Sequence, residues 1–396
     1  MNVQSKTLRF SMFGLLYFTQ GTILGYFASL NALYMLANGL DMSQVGIFST
    51  IALIPFIIKI LFGIISDRYN LLGFGHRKPY ILIGLLVQII CLIIVANINP
   101  GEMYWGYVAL AFFLQLGMAF YDTCTDGLAL DITPENEKGI LQGFMVGGRS
   151  VGVIAAASLA GFIAQHVSWQ AVFYFLAVLT LIPIPLLFFI KEMKRTADMR
   201  FNWAAFGAFK SRQVLAVAGV GLIVFLVIVG SNQLVNPSYA AKLDIDLGTA
   251  GLITTVWGIG CVAGALLGGG VMDKLGNKKA LGLSVLLVVP AMVLLALVKS
   301  LPMMWVVTVF FGIAYGLSQA IYFALAMKYT RADIAASMYS ILMAVTNIGQ
   351  GIGLGVGGGI ADKAGFPTAF LVFGGLMLLV LPFFPLIFRK KELAAA

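Results

Sequence analysis

The sequence predicts an all-α membrane protein of twelve transmembrane helices in two pseudo-symmetric six-helix bundles. Three observations carry that reading. Hydrophobic residues make up 60% of the 396 and charged residues only 10%, against about 25% charged in a soluble domain. Apolar runs of roughly 20 residues, the length a helix needs to cross hydrocarbon, recur along the whole chain. A charged motif in the first half returns in the second at a fixed offset. A barrel is excluded because its strands would alternate in polarity over about 10 residues, and these runs are continuous.

Bounded by Gly, Pro, Asn or charge, the runs fall at 10–36, 44–66, 79–98, 103–130, 138–165 and 169–190, then at 213–240, 247–271, 279–298, 302–328, 335–361 and 366–388. This divides the chain into an N-terminal bundle (1–190), a polar central loop (191–212) and a C-terminal bundle (213–396). Of the 25 Lys and Arg, twenty lie on the side of the loops that holds both termini, three on the other side, and two inside spans. Basic residues concentrate in cytoplasmic loops. The expectation is therefore a multi-pass protein of the plasma (inner) membrane with both termini cytoplasmic. The first apolar stretch is too long for a signal-peptide core, so that span is expected to be retained. Cys91, Cys124 and Cys261 all sit in apolar runs, as packing residues do. Pro55, Pro183, Pro185 and Pro237 are expected to bend their spans.

The halves repeat. Gly63, Asp67 and Arg68 align with Gly269, Asp273 and Lys274 at an offset of 206, and GFIAQ from Gly161 aligns with GGIAD from Gly358 at an offset of 197. Parallel duplication of this kind is one architecture for alternating access. Polarity also recurs every third helix. Apart from Lys279 at the first position of span nine, spans three, six, nine and twelve contain no Asp, Glu, Lys or Arg. Spans one, four, seven and ten hold Tyr17, Gln20 and Asn31; Asp122 and Asp126; Asn232, Gln233 and Asn236; and Tyr315, Gln319 and Tyr322. Helices with polar groups turn them inward. A substrate cavity walled by these residues, with help from Asn347 and Gln350 on span eleven, follows as an expectation.

Charge inside the spans is the sharpest signal. Asp122 and Asp126 share a face of span four, about 12 and 6 Å in from its cytoplasmic end by helical rise. Lys59 lies at similar depth in span two, and Arg149 sits nearer the midplane in span five. An ionised residue at a span centre costs about 2.5–3.5 kcal/mol. One reading is that these residues carry a proton or contact an anionic solute, with Arg149 offering a bidentate fork. The plainer reading is a static ion pair that fixes helix packing. Both stay open at this stage.

The duplicated twelve-span plan, with G-x-x-x-D-[RK] and a following basic pair, resembles the major facilitator superfamily over the whole chain. Within it, Pro55 and Lys59, then Asp67 to Lys78, then Asp122, Asp126, Asp131, Pro134, Glu137, Lys138 and Gly139 resemble the AmpG-type muropeptide permeases and the related acetyl-CoA transporters. The match is chiefly over residues 50–175. The chain departs in length and in Tyr121, where that motif usually has Gln. The resemblance implies a major facilitator fold and a cytoplasmic gate. Its charge network would involve Gly63, Asp67, Arg68, Arg77, Lys78 and Asp131, repeated more weakly by Gly269, Asp273 and Lys274.

Together these readings point to a secondary transporter that moves a polar or anionic organic solute by rocking two six-helix halves, with proton coupling as symport. A membrane factor that binds a lipid or pigment without transport, or a lipid or drug exporter, is the alternative. The sequence presents no nucleophile with its base, metal cluster or nucleotide loop, so an enzyme is not expected, nor a cofactor, metal or nucleic-acid partner. The expected partners are a small molecule, protons and the bilayer, and the expected state is a monomer.

Overall fold

The computed structural model describes residues 5–71, 75–192, 207, 209–329 and 335–388. Among them every regular element is helical. The first half holds α1 (Lys6–Ser29), α2 (Asn31–Ala37), α3 (Met42–Ile57), α4 (Lys59–Arg68), α5 (Lys78–Val95), α6 (Tyr104–Ile132), α7 (Glu135–His166), α8 (Trp169–Leu181) and α9 (Ile184–Phe189). The second holds α10 (Arg212–Leu243), α11 (Leu247–Leu297), α12 (Leu301–Lys328), α13 (Ala335–Ala364), α14 (Phe366–Leu378) and α15 (Phe384–Ile387), the last preceded by a 3-10 turn over Leu381–Phe383.

Ten helices among the described residues are long and apolar enough to cross a membrane. The first two expected spans fall short of that measure for separate reasons. Thr19, Gln20 and Thr22 dilute the apolarity of α1, and the second span is cut in two at Ile58. Pro55 lies three residues before that cut and has no N–H to give the helix ladder. Pro183 stands between α8 and α9 and Pro185 is the second residue of α9, whereas Pro237 lies inside an unbroken α10. Spans eight and nine run together as α11, interrupted only by Gly276 at φ 73°. Gly365, at φ 81° and ψ 159°, turns α13 into α14 and donates its N–H to the Ala361 carbonyl at 2.9 Å, a positive-φ helix stop that favours glycine.

The chain forms two compact units. One comprises Met1–Leu40, Ile51–Arg200 and Ile245–Thr255, and the other Asp41–Thr50, Phe201–Asp244 and Val256–Ala396. Inside each, a long helix pair meets backbone to backbone through glycine. In the first unit α1 packs on α7: a methyl at Gly21 would lie 2.1 Å from the Arg149 carbonyl oxygen, and one at Gly152 would lie 2.1 Å from that of Phe18. In the second, α10 packs on α13 the same way, with Gly349 and Gly353 against the carbonyls of Leu222 and Leu226. Without a hydrophobic drive between helices in lipid, such close approach supplies the packing.

Each half of the sequence also lends a short segment to the unit formed by the other. In the second unit the first turn of α3 donates the N–H groups of Met42 (2.9 Å) and Ser43 (2.5 Å), and the Ser43 hydroxyl (2.5 Å), to the Asp362 carboxylate near the end of α13. In the first unit the Gly248 N–H at the start of α11 donates to Gln165 Oε1 at 3.0 Å, near the end of α7. The two repeat offsets carry Met42 onto Gly248 and Gln165 onto Asp362, so the same cap is made twice, once with a carboxylate and once with an amide. Asp246 adds a local cap, accepting from Thr249 N–H at 2.6 Å. The backbone and side-chain hydrogen bonds of Thr249 hold its carboxyl below its ordinary value. A depressed carboxyl stabilises the fold above its unfolded value and stops doing so as pH falls through the folded one.

Gly21→Ala and Gly152→Ala each press a methyl into a carbonyl and are expected to destabilise by about 1–3 kcal/mol, read as a lower unfolding midpoint in detergent. Gly147→Ala meets nothing within 4 Å and is expected to leave the midpoint unchanged or raise it. Equal shifts in all three variants would contradict the glycine contact. Asp362→Ala removes an acceptor shared by three donors and is expected to lower the midpoint more than Gln165→Ala, within the roughly 0.5–2 kcal/mol of a helix cap. The reverse order would refute the capping role.

Candidate functional site

Four helices of the first unit bring the intramembrane charges together. The break at Ile58 makes Lys59 the first residue of α4, and its Nζ lies 3.4 Å from Asp122 Oδ2 on α6. The other Asp122 oxygen accepts from Gln20 Nε2 at 2.8 Å. One turn further along α6, Asp126 accepts from the Tyr17 hydroxyl. Tyr17 and Gln20 are a turn apart on α1, so the two helices meet in antiparallel register, Tyr17 on Asp126 and Gln20 on Asp122. Asp122 is buried with both oxygens engaged, while Asp126 keeps part of its surface open.

Arg149 belongs to the same cluster but is held differently. It is exposed, and among the described residues it makes no hydrogen bond or ion pair. Its charge reaches Tyr17, Tyr121 and Asp126, in each case as the weakest of the influences on that group. The contact pair among these four charges is Lys59 with Asp122.

At the end of α6 a second network surrounds Arg77, which is buried. Its Nη1 donates to Ser66 Oγ at 2.5 Å, and its Nε lies 3.8 Å from Asp131 Oδ2. The guanidinium crosses α6 at Gly127, where a methyl would come within 2.5 Å of Arg77 Cζ, so only glycine leaves room. Lys78 Nζ donates to the Ile190 carbonyl at 2.6 Å, and His76 N–H donates to Glu192 Oε1 at 2.9 Å. Gly63 would accept a methyl in ordinary contact with Thr123. Lys274 is exposed. The side chains of Asp67, Arg68 and Asp273, and the surroundings of Gly269, lie outside the described residues.

The neutral residues expected to line a cavity divide. Asn31 is buried, accepts from Tyr107 at 2.9 Å and belongs to a tyrosine cluster with Tyr26 and Tyr34. Tyr322 is fully buried against Phe225 and Gly221. Tyr315 packs edge-on to Trp257, and Asn236 is buried. Asn232, Gln233, Gln319, Asn347 and Gln350 remain half-buried. Gln350 donates to Asn347 at 3.0 Å, and Gln233 to the Leu354 carbonyl at 3.3 Å.

Sequence reasoning missed three contributors. Arg9 falls there among the basic residues counted toward topology and Glu137 within the permease-like motif, yet Arg9 is almost wholly buried and pairs with Glu137 across α1 and α7. Glu192, a single acid in a basic run, ties the 75–77 turn to the end of the sixth span. Its sign was the available signal. Arg9 and Glu137 are 128 residues apart and carry none.

The chain is similar to known transporters along most of its length. It is 22% identical over 350 residues to the anhydromuropeptide permease of Escherichia coli (strain K12), covering 85% of this chain and 71% of that protein. It is 26% identical over 236 residues to the sialic acid transporter NanX of the same strain, covering 55% of this chain and 53% of that one. Among solved structures, the nucleoside transporter NupG superposes with a TM-score of 0.81 at 16% identity, covering 99% of this chain and all of that one, a likeness of fold alone. The sequence model of the Major Facilitator Superfamily matches residues 13–236 and 222–395. With ten membrane-crossing helices among its described residues and that match over nearly its whole length, this multi-pass integral membrane protein belongs to the Major Facilitator Superfamily of transporters.

Proposed function

We propose that the chain is a proton-coupled secondary transporter that carries a polar or anionic organic solute across the inner membrane by alternating access. The observation that carries this reading is the Asp122, Asp126, Lys59 and Arg149 cluster. Four charges kept within spans are costly, and intramembrane acids of this kind mark proton relays and substrate pathways. Asp122 is held by two donors and serves as the fixed member. Asp126, with one donor and an open side, serves as the group that gains and loses the proton. Relatives named for an anhydromuropeptide and a sialic acid, together with a nucleoside transporter of the same fold, put polar organic solutes at the head of a test panel.

In this reading residues 1–190 and 213–396 move as bodies joined by 191–212, both termini face the cytoplasm, and the protein works as a monomer. The Arg77–Asp131–Ser66 network acts as the cytoplasmic latch. The half-buried Asn232, Gln233, Gln319, Asn347 and Gln350 supply neutral recognition.

Proton movement on adding solutes to liposomes that contain the purified protein tests the function. Wild type is expected to show a solute-dependent proton flux, which Asp126→Asn abolishes with insertion unchanged. Unchanged flux in both Asp126→Asn and Asp122→Asn would sink the coupling role. For the latch, Asp131→Asn is expected to raise labelling of a cysteine placed at the cytoplasmic end of α6 several-fold. Unaltered accessibility would argue that the pair only stabilises packing.

A further inference from the structure

We propose that Glu192 is a positioning residue for the cytoplasmic latch: by clasping the 75–77 turn it aims the Arg77 guanidinium at Ser66 and Asp131. The proposal rests on the latch reading above and deepens it, because it names the group outside the Arg77–Asp131–Ser66 network that sets the geometry of that network.

Arg77 is the residue from which α5 starts, at φ −124° and ψ −52°, so the path of the turn before it fixes where its side chain begins. Two segments grip that turn. From α4, the Ser66 carbonyl lies 3.2 Å from His76 Nδ1, a bond that needs the Nδ1–H tautomer of the ring. From the end of the sixth span, Glu192 Oε1 accepts the His76 N–H at 2.9 Å, and the Ile190 carbonyl accepts from Lys78 Nζ at 2.6 Å. Gly75, the first residue of the turn, gives its own N–H to Asn70 Oδ1 at 2.9 Å. The guanidinium that follows donates to Ser66 Oγ at 2.5 Å and lies 3.8 Å from Asp131 Oδ2. Glu192 makes no bond to Arg77 among the described residues, so it acts on the latch through the backbone of the turn.

Two features separate Glu192 from a passive surface acid. Its Oε2 is buried and accepts no hydrogen bond among the described residues, a cost that a carboxylate turned to water would not bear. Gly75 fits against that same oxygen: a methyl there would lie 1.9 Å from it, and φ 124° disfavours any side chain. Turn and carboxylate are thus shaped to each other. An arginine gives up much rotamer freedom when its head is held, so a guanidinium aimed at two partners depends on a fixed root. The clasp supplies that root. Without the Glu192 carboxylate the His76 N–H loses its acceptor, and the hold of residues 190–192 on the turn falls to Lys78 alone.

The test reads Arg77 directly in the full-length purified protein, as the rate of its modification by phenylglyoxal followed by peptide mass spectrometry. Glu192→Ala is expected to raise that rate about tenfold, the scale of losing a hydrogen bond to a charged acceptor. Glu192→Gln keeps an oxygen for the His76 N–H and should stay near wild type, whereas Gly75→Ala, which presses on the carboxylate, should behave like Glu192→Ala. Arg9, held by Glu137 between α1 and α7, is the internal control and should keep its wild-type rate in every variant. An unchanged Arg77 rate in Glu192→Ala, a Glu192→Gln variant as reactive as Glu192→Ala, or an equal rise at Arg9 would overturn the proposal. Failure of the latch reading shows elsewhere: Arg77 exposed by Glu192→Ala, with unaltered labelling of the cysteine at the cytoplasmic end of α6, would uphold the clasp and reject the latch.

Discussion

Hydrocarbon does not solvate charge, and the arrangement of this protein follows from how it meets that constraint. Lys59, Asp122, Asp126 and Arg149 each sit where an isolated ion is strongly disfavoured. They come from three different helices of one unit, and Lys59 meets Asp122 there as a contact pair. Tyr17 and Gln20 complete the cluster by donating to the two carboxylates. The helices must therefore be held in register to within a hydrogen-bond length. The glycine contacts do this between α1 and α7, because backbone against backbone leaves no side-chain slack.

The four charges are not equivalent. Asp122 has an ammonium on one oxygen and an amide on the other, and a group so held resists change. Asp126 has one hydroxyl donor and a partly open side, and Arg149 has a clamped backbone with a free head. Asp122 is thus fixed by its contacts, whereas Arg149 makes none among the described residues. The Arg77 network shows the opposite design. Its guanidinium lies buried across Gly127 and is tied to Ser66 and Asp131.

Duplication explains more than the helix count. The same helix start is capped by a side chain from the same repeat position in both units, Asp362 for Met42 and Ser43, Gln165 for Gly248. The geometry survived duplication while the chemistry diverged, a carboxylate in one place and an amide in the other. Charge diverged more widely. The residues of the second unit singled out by their polarity, such as Asn232, Gln233, Asn347 and Gln350, are neutral. The intramembrane acids Asp122 and Asp126 belong to the first unit.

The sequence by itself determined the membrane class, the family, the repeat and the identity of the charged residues, because apolar run length, motif offset and charge in an apolar run are all properties of adjacent residues. It also placed Lys59 level with Asp122, since helical rise converts residue number into depth. What it did not contain was rotation and long-range partnership. Tyr17 and Asn31 looked alike as polar residues of span one, yet one bonds Asp126 and the other is enclosed by tyrosines. Arg9 and Glu137, Glu192 and the 75–77 turn, and Asp362 and the start of α3 are pairs between distant segments. Only the packing of helices against each other decided these, because depth is set along one helix, whereas azimuth and neighbour are set by the rest of the fold.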